Sequence, residues 1–534
     1  METANLDFRD RAAAFAAVDG VQFDLLVIGA GITGAGVALD AASRGLKVML
    51  VDARDVAAGT SSRSSKMIHG GLRYLAQGDI ELVREAASER QTLRAIAPHL
   101  ARLIPFVVPG SLGNTTKMRA GLKIFEKLGS VAKHERHEVW GADELRANEP
   151  LLSNEKFTGA VVYPEFLTHD ARLTLANVRS AQRAGASVIT YAPVTKIVIE
   201  SGRAAGATIE GALPGESLGA TIKARRIVNA AGPWVDAIRA IEDDRADHRL
   251  SITKGIHLVV PHTRLPITRT IAWTTIDKRT VFAVPSGPIT YIGTTDTFYA
   301  IDAQHSIDWP IIEWDDVSYL LGEAERAFAG APIGANDIVS MWAGVRPLIR
   351  QAGKNPSEIS RKDEVWQGSS GVVSIAGGKL TAYRAMAERV VDALVVDLGV
   401  SAAPCSTATD MLVGGDVNVE ETKAKLAGSL ENDAAAQRLV NLYGSEADGI
   451  VAGGGDLRAE VSHAVLHEGA LTLADYWVRR GAHSWFTLHP VGDGLAQAAE
   501  AAGELLQWSA ARRSNEIAEV TQRHRESMAC LASH

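Results

Sequence analysis

A chain of 534 residues is long enough for two or three domains around a large buried core, and its formal net charge of −8 gives no hint of nucleic-acid binding. Hydrophobic residues make up 46% and charged residues 22%, the balance of an ordinary globular protein. Cys405 and Cys530 stand far apart with no Cys-x-x-Cys spacing, which argues against disulfides, zinc and thiol redox chemistry and fits a reducing compartment.

Residues 1–20 read as an N-terminal extension. They carry Glu2, Asp7, Arg9, Asp10 and Arg11 and lack the cationic start and apolar stretch of a secretory signal. The chain has no run of about eighteen uninterrupted apolar residues, so no transmembrane helix is expected. The first element of consequence is the strand-like Asp24-Leu25-Leu26-Val27-Ile28, which runs into Gly29-Ala30-Gly31-Ile32-Thr33-Gly34. A small-residue helix follows and stops at Arg44-Gly45, and a second strand, Lys47 to Val51, delivers Asp52. This is a dinucleotide-binding βαβ unit. Gly29 permits the tight turn, Gly31 lets backbone amides approach a pyrophosphate, and Gly34 lets helix and strand pack closely. The helix N-terminus offers unpaired N–H groups to phosphates, and Asp52 is placed to accept hydrogen bonds from a ribose. The fingerprint alone does not separate NAD from FAD.

Residues 60–75 are too polar and glycine-rich for a core strand. Further on, helices are expected over Asp79 to Ala97, with Leu82, Ala86, Leu93 and Ile96 on one side, and over Asp170 to Ala184. Between them, Thr116 to Leu128 would set Met118, Leu122, Phe125 and Leu128 on one helical face flanked by Lys117, Arg119, Lys123 and Lys127. Such a helix suits an anionic membrane, or equally a surface helix with its apolar side in the core. Three short strands are expected over Val194–Glu200, Gly206–Glu210 and Ala220–Ile227, an antiparallel crossover, with the last run reaching Gly232. Residues 250–345 hold several β-branched and aromatic strands. After the strand Val372–Ala376, Gly377-Gly378-Lys379-Leu380-Thr381 opens a helix that buries Tyr383, Ala387, Val390, Val391 and Leu394. A helix N-terminus there would favour negative charge on a bound ligand, or form a plain strand-to-helix turn. From about 405 the texture becomes helical, with Ser509 as N-cap of a helix from Ala510 to about Gln522.

With these motifs in place, the chain resembles the FAD-dependent glycerol-3-phosphate dehydrogenase family, aerobic and quinone-linked. The resemblance rests on Thr60-Ser61-Ser62-Arg63-Ser64-Ser65-Lys66, on His69-Gly70-Gly71-Leu72-Arg73-Tyr74, and on Gly36 and Asp40. It continues in Asn229 to Val235, Lys254-Gly255-Ile256-His257, Ile292 to Asp296, Gly344-Val345-Arg346-Pro347 and Gly377 to Arg384, nearly the whole chain from residue 20. It implies an α/β, two-dinucleotide-fold (D-amino-acid-oxidase-like) FAD-binding domain with an antiparallel substrate sheet over residues 21–404, and a C-terminal helical cap domain over residues 405–534. It implies FAD as a non-covalent cofactor, with Thr60, Ser61, Ser62, Ser65, Lys66, His69, Gly70 and Gly71 lining flavin and substrate, beside Gly232 and Gly377 to Thr381.

The expected reaction is oxidation of sn-glycerol 3-phosphate to dihydroxyacetone phosphate, with hydride to flavin N5 and electrons passed to a quinone. A phosphate ester is best anchored by the planar fork of Arg or the point charge of Lys, so Arg73 and Arg346 are the candidates for the phosphate or the substrate oxygens, with Lys379 near the flavin or the same anion. His257 is the first candidate base because imidazole titrates near working pH, with a hydrogen-bonded core histidine as its plain alternative. His69 is the second candidate and could instead only pack on the flavin. Tyr74 could bond a substrate oxygen, while Thr295 and Asp296 could shape the pocket or end a strand. A homodimer in the cytoplasm, with peripheral contact on the inner face of the cell membrane, completes the expectation. An oxygen-using glycerol-3-phosphate oxidase, a flavin amine or 2-hydroxy-acid oxidoreductase, and a non-catalytic flavin binder are the alternatives.

Overall fold

The computed structural model describes residues 5–69, 80–111, 118, 122–123, 136–302, 305–330, 332–351, 353 and 363–532. The apolar run Gln22–Ile28 is the centre of a mixed sheet. It pairs in parallel with Val48–Val51 on one side and Gly219–Asn229 on the other, and Ser187–Ile189 and Val373–Ala376 extend the parallel block. Parallel strands are buried on both faces, which accounts for their near-continuous Val, Leu and Ile. The helix Ile32–Ser43 lies on this sheet with Gly34, Ala35, Gly36 and Ala38 buried, and it stops where Gly45 takes a φ of +90°. Tyr383 and Ala387 of the helix Tyr383–Leu398 approach so closely that a Cβ on Gly36 would lie 3.0 Å from the tyrosine ring.

The antiparallel crossover is present, formed by Val194–Glu200, Arg203–Glu210 and the long strand Gly219–Asn229. The second of these begins three residues earlier than its apolar pattern predicts, and the third runs on to Asn229. The helix Ile80–Ile96 buries Ala86, Leu93 and Ile96; the side chain of Leu82 lies outside the described residues. Residues 5–20 make contacts with the rest of the chain. The helix Arg11–Val18 packs Phe15 and Val18 into the core, and Leu6 bridges to Glu468 in the C-terminal part.

A second, mostly antiparallel sheet stands beside the first, with one parallel pair between Thr270–Thr274 and Arg102–Gly110. Its central strand Leu250–Pro261 is flanked by Ser340–Ile349 and Ile289–Gly293, and the sheet extends through Thr280–Ser286, Thr270–Thr274, Arg102–Gly110 and Gly159–Leu167. The last two strands precede the region 250–345 in sequence, so the sheet gathers more of the chain than that region alone. Side chains alternate across it. Ile256, Leu258 and Val260 enter one hydrophobic cluster, while Val259, Tyr291 and Trp342 enter another. The second cluster is completed by the C-terminal part, through Trp477, Trp485, Leu495 and Val520. That part is helical, from Val419–Leu430 to Ala510–Met528, the last helix running six residues past its expected end.

Candidate active site

A cavity of about 1340 Å³ runs between the two sheets, bounded by the C-terminal ends of the parallel strands and by the antiparallel floor. Four chain turns meet at those strand ends. At the first, Gly29 has a φ of +106°, and a Cβ there would sit 2.7 Å from the carbonyl oxygen of Ala230. Gly34 lies beneath it, where a Cβ would be 1.9 Å from the Gly29 oxygen. Gly31 lines the cavity at the start of the helix Ile32–Ser43. At the second turn, Asp52 accepts hydrogen bonds from Ala30 N (2.6 Å) and Arg54 N (2.8 Å). Burial pushes its carboxyl up to about 6 despite those donors. At the third and fourth, Gly232 (φ +56°) and the pair Gly377 and Gly378 (φ +81° and +78°) hold conformations that favour glycine. This cradle fits FAD: glycine turns bring backbone to the cavity wall at three strand ends, with the N-terminus of the helix Ile32–Ser43 and the carboxylate of Asp52 beside them.

The serine-rich segment wraps the cradle. Ser61 Oγ accepts from Ile32 N at 2.9 Å and so caps the first helix, and Thr60 Oγ1 donates to Val345 O at 2.7 Å, tying the segment to the strand that carries Arg346. Both line the cavity, as do Ser65, His69, Lys379, Leu380 and Thr381. Thr381 Oγ1 donates to the carbonyl of His69 at 3.3 Å, joining the two glycine-rich motifs. Ser62 and Lys66, expected at the cofactor, do not line the cavity. Lys66 is 3% exposed; its ammonium donates to Ser62 O and bonds Asp170 at 2.6 Å. A buried cation without a carboxylate would be expensive, so this lysine is a structural ion pair. Gly70, Gly71, Arg73 and Tyr74 lie outside the described residues.

The floor explains how a histidine and an arginine come to face one cavity. His257 pairs with Trp342, Gly255 with Gly344, and Thr253 with Arg346, all on one face of the antiparallel sheet. Glycine is required between the two functional side chains. A Cβ at Gly255 would lie 2.2 Å from Nη2 of Arg346, and one at Gly293 would lie 2.2 Å from Cδ2 of His257. Arg346 donates to Asp296 Oδ1 (3.1 Å), Thr294 Oγ1 (3.1 Å) and Thr295 O (3.2 Å). Thr295 itself is buried and accepts from Ile256 N, so it supports the floor. His257 is held well below the usual histidine range, first by burial and then by the positive charges of Arg346 and Lys66. Both causes favour the neutral imidazole.

Residues that no motif pointed to also line the cavity, among them Arg54, Lys156 and Arg279. Arg54 lies over the Trp234 ring at 4.8 Å. Arg279 is clamped by Asp277 at 2.6 Å and covers Tyr319 at 4.2 Å. The only sequence signal for it was the short polar break Asp277-Lys278-Arg279 between two apolar runs.

Three glycine turns, the carboxylate at the second strand and the adjoining floor define the class, a flavin-dependent oxidoreductase. A family model described as FAD dependent oxidoreductase matches residues 24–384, and one described as the C-terminal domain of alpha-glycerophosphate oxidase matches residues 405–513. The aerobic glycerol-3-phosphate dehydrogenase of Bacillus subtilis is 38% identical over 516 residues, covering 91% of this chain and 92% of the relative. Its namesake from Staphylococcus aureus is 36% identical over 95% of each chain. The X-ray structure of the glycerol-3-phosphate dehydrogenase from Bacillus halodurans complexed with FAD has a TM-score of 0.81 and 32% identity, over 99% of both chains. The chain belongs to the aerobic glycerol-3-phosphate dehydrogenase family, within the FAD-dependent oxidoreductases.

Proposed function

We propose that the protein oxidises sn-glycerol 3-phosphate to dihydroxyacetone phosphate and passes the electrons to a membrane quinone. Bound in the cradle, FAD supplies the hydride acceptor at its N5. The protein's own residues then have two tasks, to hold the phosphate end and to take the hydroxyl proton. Arg346, with Lys379, Arg73 and Tyr74, anchors the phosphate and the substrate oxygens, and His257 accepts the proton. The observation that carries this reading is the floor itself, where a neutral histidine and an arginine face one cavity across a glycine pair. A cation fixed by Asp296 and the Thr294–Thr295 segment loses little freedom on binding an anion, which favours correct orientation over the flavin.

The quinone assignment and a homodimeric, cytoplasmic enzyme with peripheral membrane contact follow the family. Among the described residues no helix is long and apolar enough to cross a membrane. Of the segment 116–128, only 118, 122 and 123 lie among the described residues. Leu122 is buried with Val83, Ala87 and Val161, and Met118 packs on them, so at these two positions the apolar face turns inward. Steady-state turnover tests the proposal. Purified holoenzyme should reduce a soluble quinone with sn-glycerol 3-phosphate and form little peroxide in air. Stoichiometric peroxide would instead make it an oxidase, and absence of turnover with this substrate would overturn the assignment.

A further inference from the structure

The ring of His257 is enclosed on nearly every side. Trp342 stacks on it at 4.5 Å with planes 12° apart, and Tyr291 meets it edge-on at 6.1 Å. Gly293 closes against the Cδ2–Nε2 edge, where a Cβ would fall 2.2 Å from Cδ2 and 2.8 Å from Nε2. Ser65 Oγ occupies Nε2 at 2.9 Å. Nδ1 is buried as well, but it has no hydrogen-bond partner among the described residues, in a side chain that lines the cavity. The serine is itself held by the same aromatic residues. Tyr291 donates its hydroxyl to Ser65 O at 3.1 Å, and Trp342 Nε1 donates to Ser64 O at 3.3 Å.

We propose that Ser65 is a positioning residue for His257: its hydroxyl oxygen accepts the Nε2 proton and so leaves Nδ1 as the nitrogen that takes the proton of the substrate hydroxyl. This rests on the reading of His257 as the base. The tautomer follows from the cost of the alternative. A proton on Nδ1 would be a buried donor with no acceptor, whereas a proton on Nε2 is satisfied by Ser65. As the substrate O–H bond breaks, its proton moves to Nδ1 and the hydride leaves the same carbon for the FAD oxidant. The resulting imidazolium keeps its Nε2–H bond to Ser65, which stabilises the charge as it forms. The charged and titratable groups that face the ring are Arg346 on the neighbouring strand, Lys66 with its partner Asp170, and Tyr291.

The test uses the FAD-loaded enzyme. Nitrogen-15 shifts at neutral pH should show His257 protonated at Nε2 and bare at Nδ1; the opposite tautomer overturns the inference whatever the variants do. Ser65→Ala should give a mixture of tautomers and a fall in kcat of about tenfold. Its acidic limb in the kcat/KM profile should move to lower pH, because the imidazolium has lost an acceptor, and Ser65→Thr should restore both. Wild-type kcat and pH profile in Ser65→Ala would overturn the inference. So would a variant that loses only FAD or substrate affinity with its pH profile intact. His257→Asn separates this failure from that of the underlying reading, because undiminished flavin reduction in that variant removes the base itself.

Discussion

Asp52 accepts backbone N–H bonds from Ala30 and Arg54, yet burial pushes its carboxyl up to about 6 from an ordinary 3.8. The neighbouring charges are Arg54, which opposes the rise, and Asp55, which adds to it. A folded value above the unfolded one means that the stability this group contributes is full below about pH 4 and is lost as pH rises through about 6. With Asp52 in its proposed role, cofactor affinity should run the other way, since a ribose hydroxyl would donate to the ionised carboxylate. FAD affinity, read by fluorescence titration of apoprotein, should weaken below about pH 6 by up to about tenfold per pH unit, and Asp52→Asn should flatten that dependence. At Arg346 the fork geometry matters as well as the charge. Arg346→Lys should lower kcat/KM for sn-glycerol 3-phosphate by about 10- to 100-fold, the worth of a charged hydrogen bond of about 1.5–3 kcal/mol. Flavin content should stay unchanged, because the cradle is built from other strands.

At the scale of elements, the register between Leu250–Pro261 and Ser340–Ile349 decides which side chains face the cavity. Gly293→Ala would drive a methyl into His257 and displace the ring, and a displacement of about 1 Å costs about 10²-fold in rate. The expected result is a large loss of kcat with FAD still bound, measured by flavin absorbance and turnover on one preparation. Much of this was legible in the sequence. The turn glycines, Asp52 and the helix stop at Gly45 are local features whose backbone demands can be read within a few residues. That His257 lies on a buried strand was also legible, from the apolar run around it. Lys66 was misread for the opposite reason: its partner Asp170 lies 104 residues further on, and no local pattern announces a buried ion pair between them. Arg279 was missed because a polar hairpin tip looks the same whether it meets solvent or a cavity.

For the molecule as a whole, the C-terminal helices brace the site from behind. Trp485 lies 5.4 Å from Trp342, the ring stacked on His257, and Lys66 sits over both indoles. Arg479 and Arg480 are buried on Asp55, three residues beyond Asp52, and Asp475 completes the network. Removing one member of a buried charge cluster strands the others, at a cost of about 3–5 kcal/mol. Asp55→Ala should therefore lower the thermal midpoint by several degrees and weaken FAD retention, and a midpoint equal to that of the parent would show that the network carries no stability. This bracing was not legible beforehand. Nothing near Arg479-Arg480 in the sequence announces their partner, because Asp55 lies more than four hundred residues away. The central claim, that the cradle and floor form an oxidation site for an anchored phosphate ester, is tested most directly by the reductive half-reaction. FAD-loaded enzyme mixed without oxygen with sn-glycerol 3-phosphate should bleach rapidly, and glycerol or D-amino acids should leave it yellow. A flavin-loaded protein that stays oxidised with sn-glycerol 3-phosphate, or that bleaches equally with glycerol, would contradict the account.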